Sequence, residues 1–152
     1  MFNVVLHAPE IPPNTGNIIR LCANNKCMLH LIEPLGFKLE TKELRRAGLD
    51  YLDIKNINIH KDYVSFVQKV QPQRVFACTT KGTKYYYQEQ YEEGDTFLFG
   101  SETKGLPPEV MNHATINQWI KIPMAPNNRS LNLSNSVAII TYEGCRQNNF
   151  NF

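Results

Sequence analysis

An α/β domain built on a mainly parallel sheet with helices on both faces is the fold class this sequence predicts. Three observations predict it. Apolar runs of strand length recur along the 152 residues, segments of helical period alternate with them, and several runs end in loops rich in glycine and short polar residues. A chain of this length is expected to form a single domain over 1–152, and no repeat, linker or low-complexity tract interrupts it.

Taken in order, Phe2–Leu6 reads as a short buried strand, followed by the turn-rich loop HAPEIPPNTG. Asn14 or Thr15 is placed to cap a helix running to about Asn25, because a short side-chain oxygen can accept from the free N–H groups of a first turn. Met28–Ile32 is a second strand, and Thr41 caps a basic amphipathic helix, TKELRRAG, that stops at Gly48. Ile57 and Ile59 alternate with polar neighbours as in a strand, and His60–Val70 carries Tyr63, Phe66, Val67 and Val70 at helical spacing. Arg74–Thr79 and Thr96–Phe99 are two further strands; the segment KGTKYYYQEQYEEGD between them is polar and aromatic without a clear period. Pro107 and Pro108 open a short helix, a strand follows around Gln118–Ile122, and after the loop PMAPNNRSLN a last helix runs from about Leu133 to Gln147. Leu133, Val137, Ile140 and Gly144 make one face of that helix, while Ala138, Ile139, Tyr142 and Cys145 cover much of the rest. A helix apolar nearly all round is buried on more than one side, and in so short a chain the second side points to another subunit. The alternative is a central helix of a monomer.

Composition narrows the function only slightly. Hydrophobic residues make up 42% and charged residues 20%, and the net charge is +2, which permits a nucleic-acid partner without arguing for one. No apolar run approaches the roughly 18 residues of a membrane span, and MFNVVLHAPE lacks the basic head and apolar stretch of a secretory signal, so a cytoplasmic protein without a membrane partner is expected. The four cysteines, Cys22, Cys27, Cys78 and Cys145, form no Cys-x-x-Cys pair and sit among apolar neighbours, so they read as small buried hydrophobes and no metal site is expected.

Ligands of open α/β sheets bind beyond the carboxyl ends of strands. Three loops lie in that position: CTTKGTK and GSETKGLP combine glycine with Ser and Thr, and IPMAPNNRSLN carries Ser and Asn. Together they point to a small-molecule site; ordinary turns are the alternative. In GSETKGLP, Leu106 stands where a P-loop needs lysine, and in the KGTK loop Ala77 occupies the place of the earlier glycine. The Gly-x-Gly-x-x-Gly fingerprint and the Gly-x-Ser-x-Gly elbow are both absent. Residue chemistry alone therefore reaches a small-molecule site on an α/β sheet, and no further.

Three segments in order carry a closer likeness. PEIPPNTGNIIRLCA at Pro9–Ala23, FLFGSETKGLP at Phe97–Pro107 and IPMAPNNRSLNLSNSVAIITYE at Ile122–Glu143 resemble the signature motifs of the SPOUT superfamily, and within it the small single-domain tRNA wobble-nucleotide 2′-O-methyltransferases of the TrmL (YibK) type. The likeness runs from about Phe2 to Gln147; Pro13, Ser101 and Cys145 depart from the usual pattern, where Gln, Pro and a large aromatic are common. The resemblance implies a SPOUT fold whose C-terminal part is a deep trefoil knot, a homodimer, and S-adenosylmethionine held among the three loops. It implies that Cys78, Thr79, Gly100, Ile122, Met124, Ser130 and Leu131 surround that cofactor, and that the substrate is the ribose of position 34, cytidine or modified uridine, in the anticodon stem-loop of leucine tRNAs.

The resemblance also assigns catalytic roles to Asn14, Arg20, Glu102, Ser130 and Asn132, and RNA contacts to Arg20, Lys81, Arg129 and Tyr142. Arginine holds its proton to about pH 12 or above, so Arg20 suits a phosphate clamp and oxyanion stabiliser better than a general base. Each role has a structural alternative. Arg20 shares a polar helix face with Asn17 and Asn24, Asn14 and Asn132 can be helix caps, Glu102 can be a surface carboxylate, and Tyr142 can be core packing. Lys38, Lys42, Arg45 and Arg46, joined by Lys81, Lys84, Lys104 and Arg129, form either a tRNA-binding face or a solvated surface. A methyltransferase of another tRNA position or of ribosomal RNA, a non-catalytic RNA-binding relative, and a small-molecule enzyme on a similar sheet stay open as alternatives.

Overall fold

The computed structural model describes residues 1–39, 42 and 57–152. The strands are β1 (Asn3–His7), β2 (Met28–Ile32), β3 (Ile57–His60), β4 (Val75–Cys78), β5 (Lys84–Tyr85), β6 (Thr96–Phe99) and β7 (Ile116–Lys121). They form one sheet in the order β3-β2-β1-β6-β4-β7-β5, and every adjacent pair is parallel. The helices are α1 (Pro12–Asn25), α2 (Tyr63–Val70), α3 (Pro108–Met111) and α4 (Leu133–Gln147), with a 3-10 turn at Tyr86–Gln88. The expected basic helix TKELRRAG lies outside the described residues except for Lys42, which is exposed.

A parallel sheet needs cover on both faces, and the period-2 alternation of its strands supplies two cores. Val4, Leu6, Phe97 and Phe99 face α1 and α4, meeting Ile18, Ile19 and Cys22 on one helix and Leu133, Val137, Ile140 and Cys145 on the other. Val5, Ala77 and Leu98 face the opposite way, against Tyr63 and Phe66 of α2 and Val110 and Met111 of α3. The mainly parallel α/β sheet with helices on both faces is thus present, and among the described strands it is wholly parallel.

Several boundaries differ from the sequence reading, each for a physical reason. Helix α1 begins at Pro12 rather than after Asn14 or Thr15, with Ile11 as N-cap and no side-chain cap of its own. Pro12 and Pro13 pre-set the helical φ and bring no N–H to satisfy, so the first turn needs no local cap. His60 ends β3 instead of opening a helix; α2 starts three residues later, where Asp62 Oδ1 accepts from Ser65 N at 2.7 Å. Strand β7 starts at Ile116, two residues early, because a register shift opposite Val75 and Phe76 lets Asn117 Oδ1 accept the Val75 N–H at 2.7 Å. That polar pair hides the start of the strand. Strand β5 goes unpredicted because two residues are too few to show a period.

One polar cluster is built into the second core. His30 and His60 are buried with Nδ1 of the first 3.0 Å from Nε2 of the second, and His30 Nε2 lies 3.3 Å from Asn3 Oδ1. Asn3 Oδ1 is an acceptor, so His30 Nε2–H donates to it and His30 Nδ1 accepts from His60 Nε2–H. Both rings are neutral in this chain. Burial, then the neighbouring His60 and Lys69, lowers the His30 pKa to about 4, and burial followed by Lys69 lowers that of His60.

Candidate functional site

Because β6, β4 and β7 lie side by side and run parallel, their carboxyl ends bring three loops together at one edge of the sheet. Cys78–Lys81 follows β4, Phe99–Leu106 follows β6, and Lys121–Met124 follows β7. With Ser130–Leu133 they enclose a cleft of about 480 Å³. The three loops singled out from the sequence are therefore one site.

Backbone shapes much of its wall. A Cβ on Gly100 would fall 2.2 Å from the carbonyl carbon of Gly105, and Gly105 has φ +66°, so the loop closes on itself only because both residues are glycine. Thr79 N donates to Ile120 O at 2.9 Å, and Thr79 Oγ1 accepts from Lys81 N at 3.2 Å, holding the β4 loop against β7. Cys78 lines the cleft, yet its thiol donates back to Phe76 O at 3.6 Å; burial pushes its pKa well up, so it is no thiolate nucleophile.

A run of side-chain hydrogen bonds ties the three motif segments together. Glu102 Oε1 accepts from Glu10 N at 3.0 Å, and Oε2 accepts from Ile11 N at 2.5 Å and Asn14 Nδ2 at 3.4 Å. Glu102 is thus the cap that α1 lacks locally, a carboxylate delivered from a distant loop to the positive end of the helix. Asn14 Oδ1 in turn accepts from Asn132 Nδ2 at 2.9 Å. Asn132 Oδ1 accepts from Ser134 N at 2.9 Å and Asn135 N at 3.3 Å, capping α4. Asn132 thus ties the loop before α4 to α1 and caps α4 at the same time. Glu102 makes no hydrogen bond or ion pair to Arg20 among the described residues.

A second link runs the opposite way, since Thr103 Oγ1 donates to Glu10 Oε1 at 2.7 Å. The hydroxyls of Thr103 and Ser101 hold the Glu10 carboxyl below its usual range. Sequence reasoning misses Glu10 and Thr103. Each lies inside a motif, and no local pattern shows that two residues 93 apart will meet.

Of the residues expected around a cofactor, Cys78, Thr79, Gly100, Ile122, Met124, Ser130 and Leu131 all line the cleft, as do Asn14, Lys81, Glu102 and Asn132. Arg20 does not; it is exposed on α1, on the polar face it shares with Asn17 and Asn24. Arg129 sits outside, in a shallow hollow with Pro123, Met124, Ala125 and Leu131. Tyr142 is 39% exposed on α4, so it is not core packing within this chain. Ile11, Met111 and Ser136 also line the cleft and carry no sequence signal beyond their place in the fold.

Comparison with known proteins agrees with this geometry. Residues 1–142 match the model of the SpoU rRNA methylase family. A tRNA (cytidine(34)-2′-O)-methyltransferase of Saccharophagus degradans is 52% identical over 150 residues, spanning 99% of this chain and 97% of the relative. The enzyme of the same description from Escherichia coli K12 is 52% identical over 147 residues, 97% of this chain and 94% of the relative. A solved structure described as giving insights into the 2-OH methylation of C/U34 on tRNA superposes with a TM-score of 0.90 at 42% identity, covering 98% of this chain and 97% of the other. The AdoMet-bound rRNA methyltransferase of Sinorhizobium meliloti superposes with a TM-score of 0.80 at 26% identity, covering 95% of this chain and 56% of the other. The sheet, the cleft at its carboxyl edge and these likenesses agree: the chain belongs to the SpoU family of RNA methylases.

Proposed function

We propose that this chain methylates the ribose 2′-oxygen of the wobble nucleotide, cytidine or modified uridine at position 34, in leucine tRNAs, with S-adenosylmethionine as donor. It acts as a cytoplasmic homodimer of single domains, 1–152, whose C-terminal part forms a deep trefoil knot. The observation that carries this reading is the 52% identity, across nearly the whole of both chains, to tRNA (cytidine(34)-2′-O)-methyltransferases.

The cleft fits the cofactor. Its volume of about 480 Å³ suits a nucleoside-sized ligand, and apolar Leu106, Ile122, Met124 and Leu131 offer walls for a flat base beside a backbone-rich floor at Gly100 and Thr79. Cys78, Thr79, Gly100, Ile122, Met124, Ser130 and Leu131 would hold it. When bound, S-adenosylmethionine supplies an electrophilic methyl group for in-line attack by a ribose oxygen. The chain's own part is positioning and electrostatics. The Glu102–Asn14–Asn132 run locks the loops that shape the cleft, and Ser130 fixes the last of them. Arg20 clamps the RNA phosphate and stabilises charge developing on the oxygen, keeping its own proton throughout, so the proton lost by the attacking hydroxyl passes to the RNA phosphate or to solvent. Lys81, Arg129 and Tyr142 hold the anticodon stem-loop.

Support for the dimer comes from α4. One face packs on the sheet, while Asn135, Ile139, Tyr142 and Arg146 form an exposed stripe along the other, with Ile139 and Tyr142 at its centre. An apolar pair rimmed by polar residues suits a self-complementary contact.

The test is transfer of labelled methyl from S-adenosylmethionine to total tRNA from a strain lacking the gene, with the product mapped by nuclease digestion. Label in a 2′-O-methyl nucleotide at the wobble position of leucine tRNAs is expected. Label at another position, or only in ribosomal RNA, overturns the assigned substrate; binding of the cofactor with no transfer to any RNA overturns the assigned activity.

A further inference from the structure

The run Tyr85–Tyr86–Tyr87 lies at the open edge of the sheet, where β5 is the last strand. Only the middle tyrosine serves the core: Tyr86 packs against the first hydrophobic cluster, and its carbonyl accepts from Tyr91 Oη at 2.5 Å. Tyr85 and Tyr87 belong to neither core cluster. Instead their rings stack on each other, with centroids 5.6 Å apart and planes 11° apart. Tyr86 meets the Tyr87 ring edge-on at 84°, and Tyr87 is 52% exposed. Tyr87 thus joins an ordered aromatic group yet keeps about half of its surface open to solvent.

A cation borders this pair. Lys121 is paired in register with Tyr85, and its Nζ lies 5.1 Å from the centre of that ring. Lys121 also lines the cleft, as does Lys81, so the platform and the cleft share a wall. Lys84, by contrast, is engaged by Glu89 at 3.0 Å. An exposed aromatic ring beside a lysine suits single-stranded nucleic acid, the ring taking a base and the cation a phosphate.

We infer that Tyr87, stacked on Tyr85 with Lys121 beside that pair, is a platform for an unpaired base of the RNA whose ribose enters the neighbouring cleft. The inference rests on the reading of the substrate as an anticodon loop, whose bases are unpaired and free to turn outward. It adds a determinant of RNA affinity that the cleft residues do not supply.

The test uses the whole protein and an anticodon stem-loop RNA carrying 2-aminopurine at one unpaired position at a time. Stacking on Tyr87 is expected to quench the fluorophore at one of those positions. Y87L, which keeps bulk but not the ring, is expected to lose that quenching and bind the RNA about tenfold more weakly, while Y87F keeps both and S-adenosylmethionine affinity is unchanged in each. Y87L with wild-type RNA affinity and quenching overturns the platform, even if the enzyme methylates the RNA normally. Quenching that depends on Tyr87, without methyl transfer, supports the platform and overturns the activity. A wild-type protein that binds no stem-loop overturns both.

Discussion

Removing the Glu102 carboxylate is expected to destabilise the fold by about 2–3 kcal/mol, although the residue sits in a loop and touches no hydrophobic core. The magnitude follows from its partners. Glu102 accepts from two backbone N–H groups, those of Glu10 at 3.0 Å and Ile11 at 2.5 Å, and more weakly from Asn14 Nδ2 at 3.4 Å. A charge-assisted hydrogen bond to a fully buried donor is worth about 1.5–3 kcal/mol. Ile11, however, is 42% exposed, so water replaces part of what is lost. About 1 kcal/mol for each backbone donor, with about 0.5 kcal/mol for the lost negative charge at the start of α1, gives the total. For a chain of this size that lowers Tm by about 5–10 °C. Urea unfolding of Glu102→Ala measures it directly, with the slope against denaturant unchanged. Glu102→Gln presents one acceptor oxygen and turns an amide N–H toward the second donor, so it is expected to recover about half of the loss. A Glu102→Ala protein within 0.5 kcal/mol of wild type refutes the idea that this carboxylate is the long-range cap of α1.

Four further outcomes are expected. Gly100→Ala places its Cβ 2.2 Å from the Gly105 backbone and is expected to cost about 3 kcal/mol or to abolish cofactor binding; calorimetric titration with S-adenosylmethionine checks it, and wild-type affinity with wild-type stability contradicts it. The neutral His30–His60 pair makes the fold acid-sensitive: the His30 pKa is lowered to about 4, so the unfolded chain takes up the proton first as pH falls below about 6.5. Stability is therefore full above that pH and is lost progressively toward pH 4. By pH 5 His30 alone should remove about 2 kcal/mol, and a His30→Gln protein should show a shallower loss in urea titrations over this window. Thr15 Oγ1 is fully buried without a hydrogen-bond partner among the described residues, so Thr15→Val is expected to raise stability by about 1 kcal/mol; a loss of stability in thermal unfolding contradicts this. Arg20→Ala is expected to leave S-adenosylmethionine binding intact, since the residue lies outside the cleft lining, and to lower methyl transfer at least a hundredfold; full turnover contradicts the clamp.

What the sequence determined by itself is what local physics can express. Strand-length apolar runs separated by helical periods specified a parallel α/β sheet, and the helix from Leu133 to Gln147 was legible to the residue because its period runs unbroken for fifteen residues. The loops rich in small polar residues after β4, β6 and β7 were legible as ligand loops for the same reason, since each directly follows a recognisable strand. Strand order, by contrast, depends on contacts between segments far apart, and only the sheet placed β6, β4 and β7 side by side so that their loops make one cleft. The roles of Glu102 and Asn14 were decided in the same way. A carboxylate capping a helix that starts 90 residues earlier leaves no periodic trace, and Asn14 looked like a local cap until two prolines took over that task. The aromatic run at Tyr85 was opaque because two outward rings and one inward ring are distinguished only by what lies beneath them. Local propensity acts over a few residues, whereas the site is an assembly of hydrogen bonds spanning some 90 to 120 residues, which exist only once the sheet has closed.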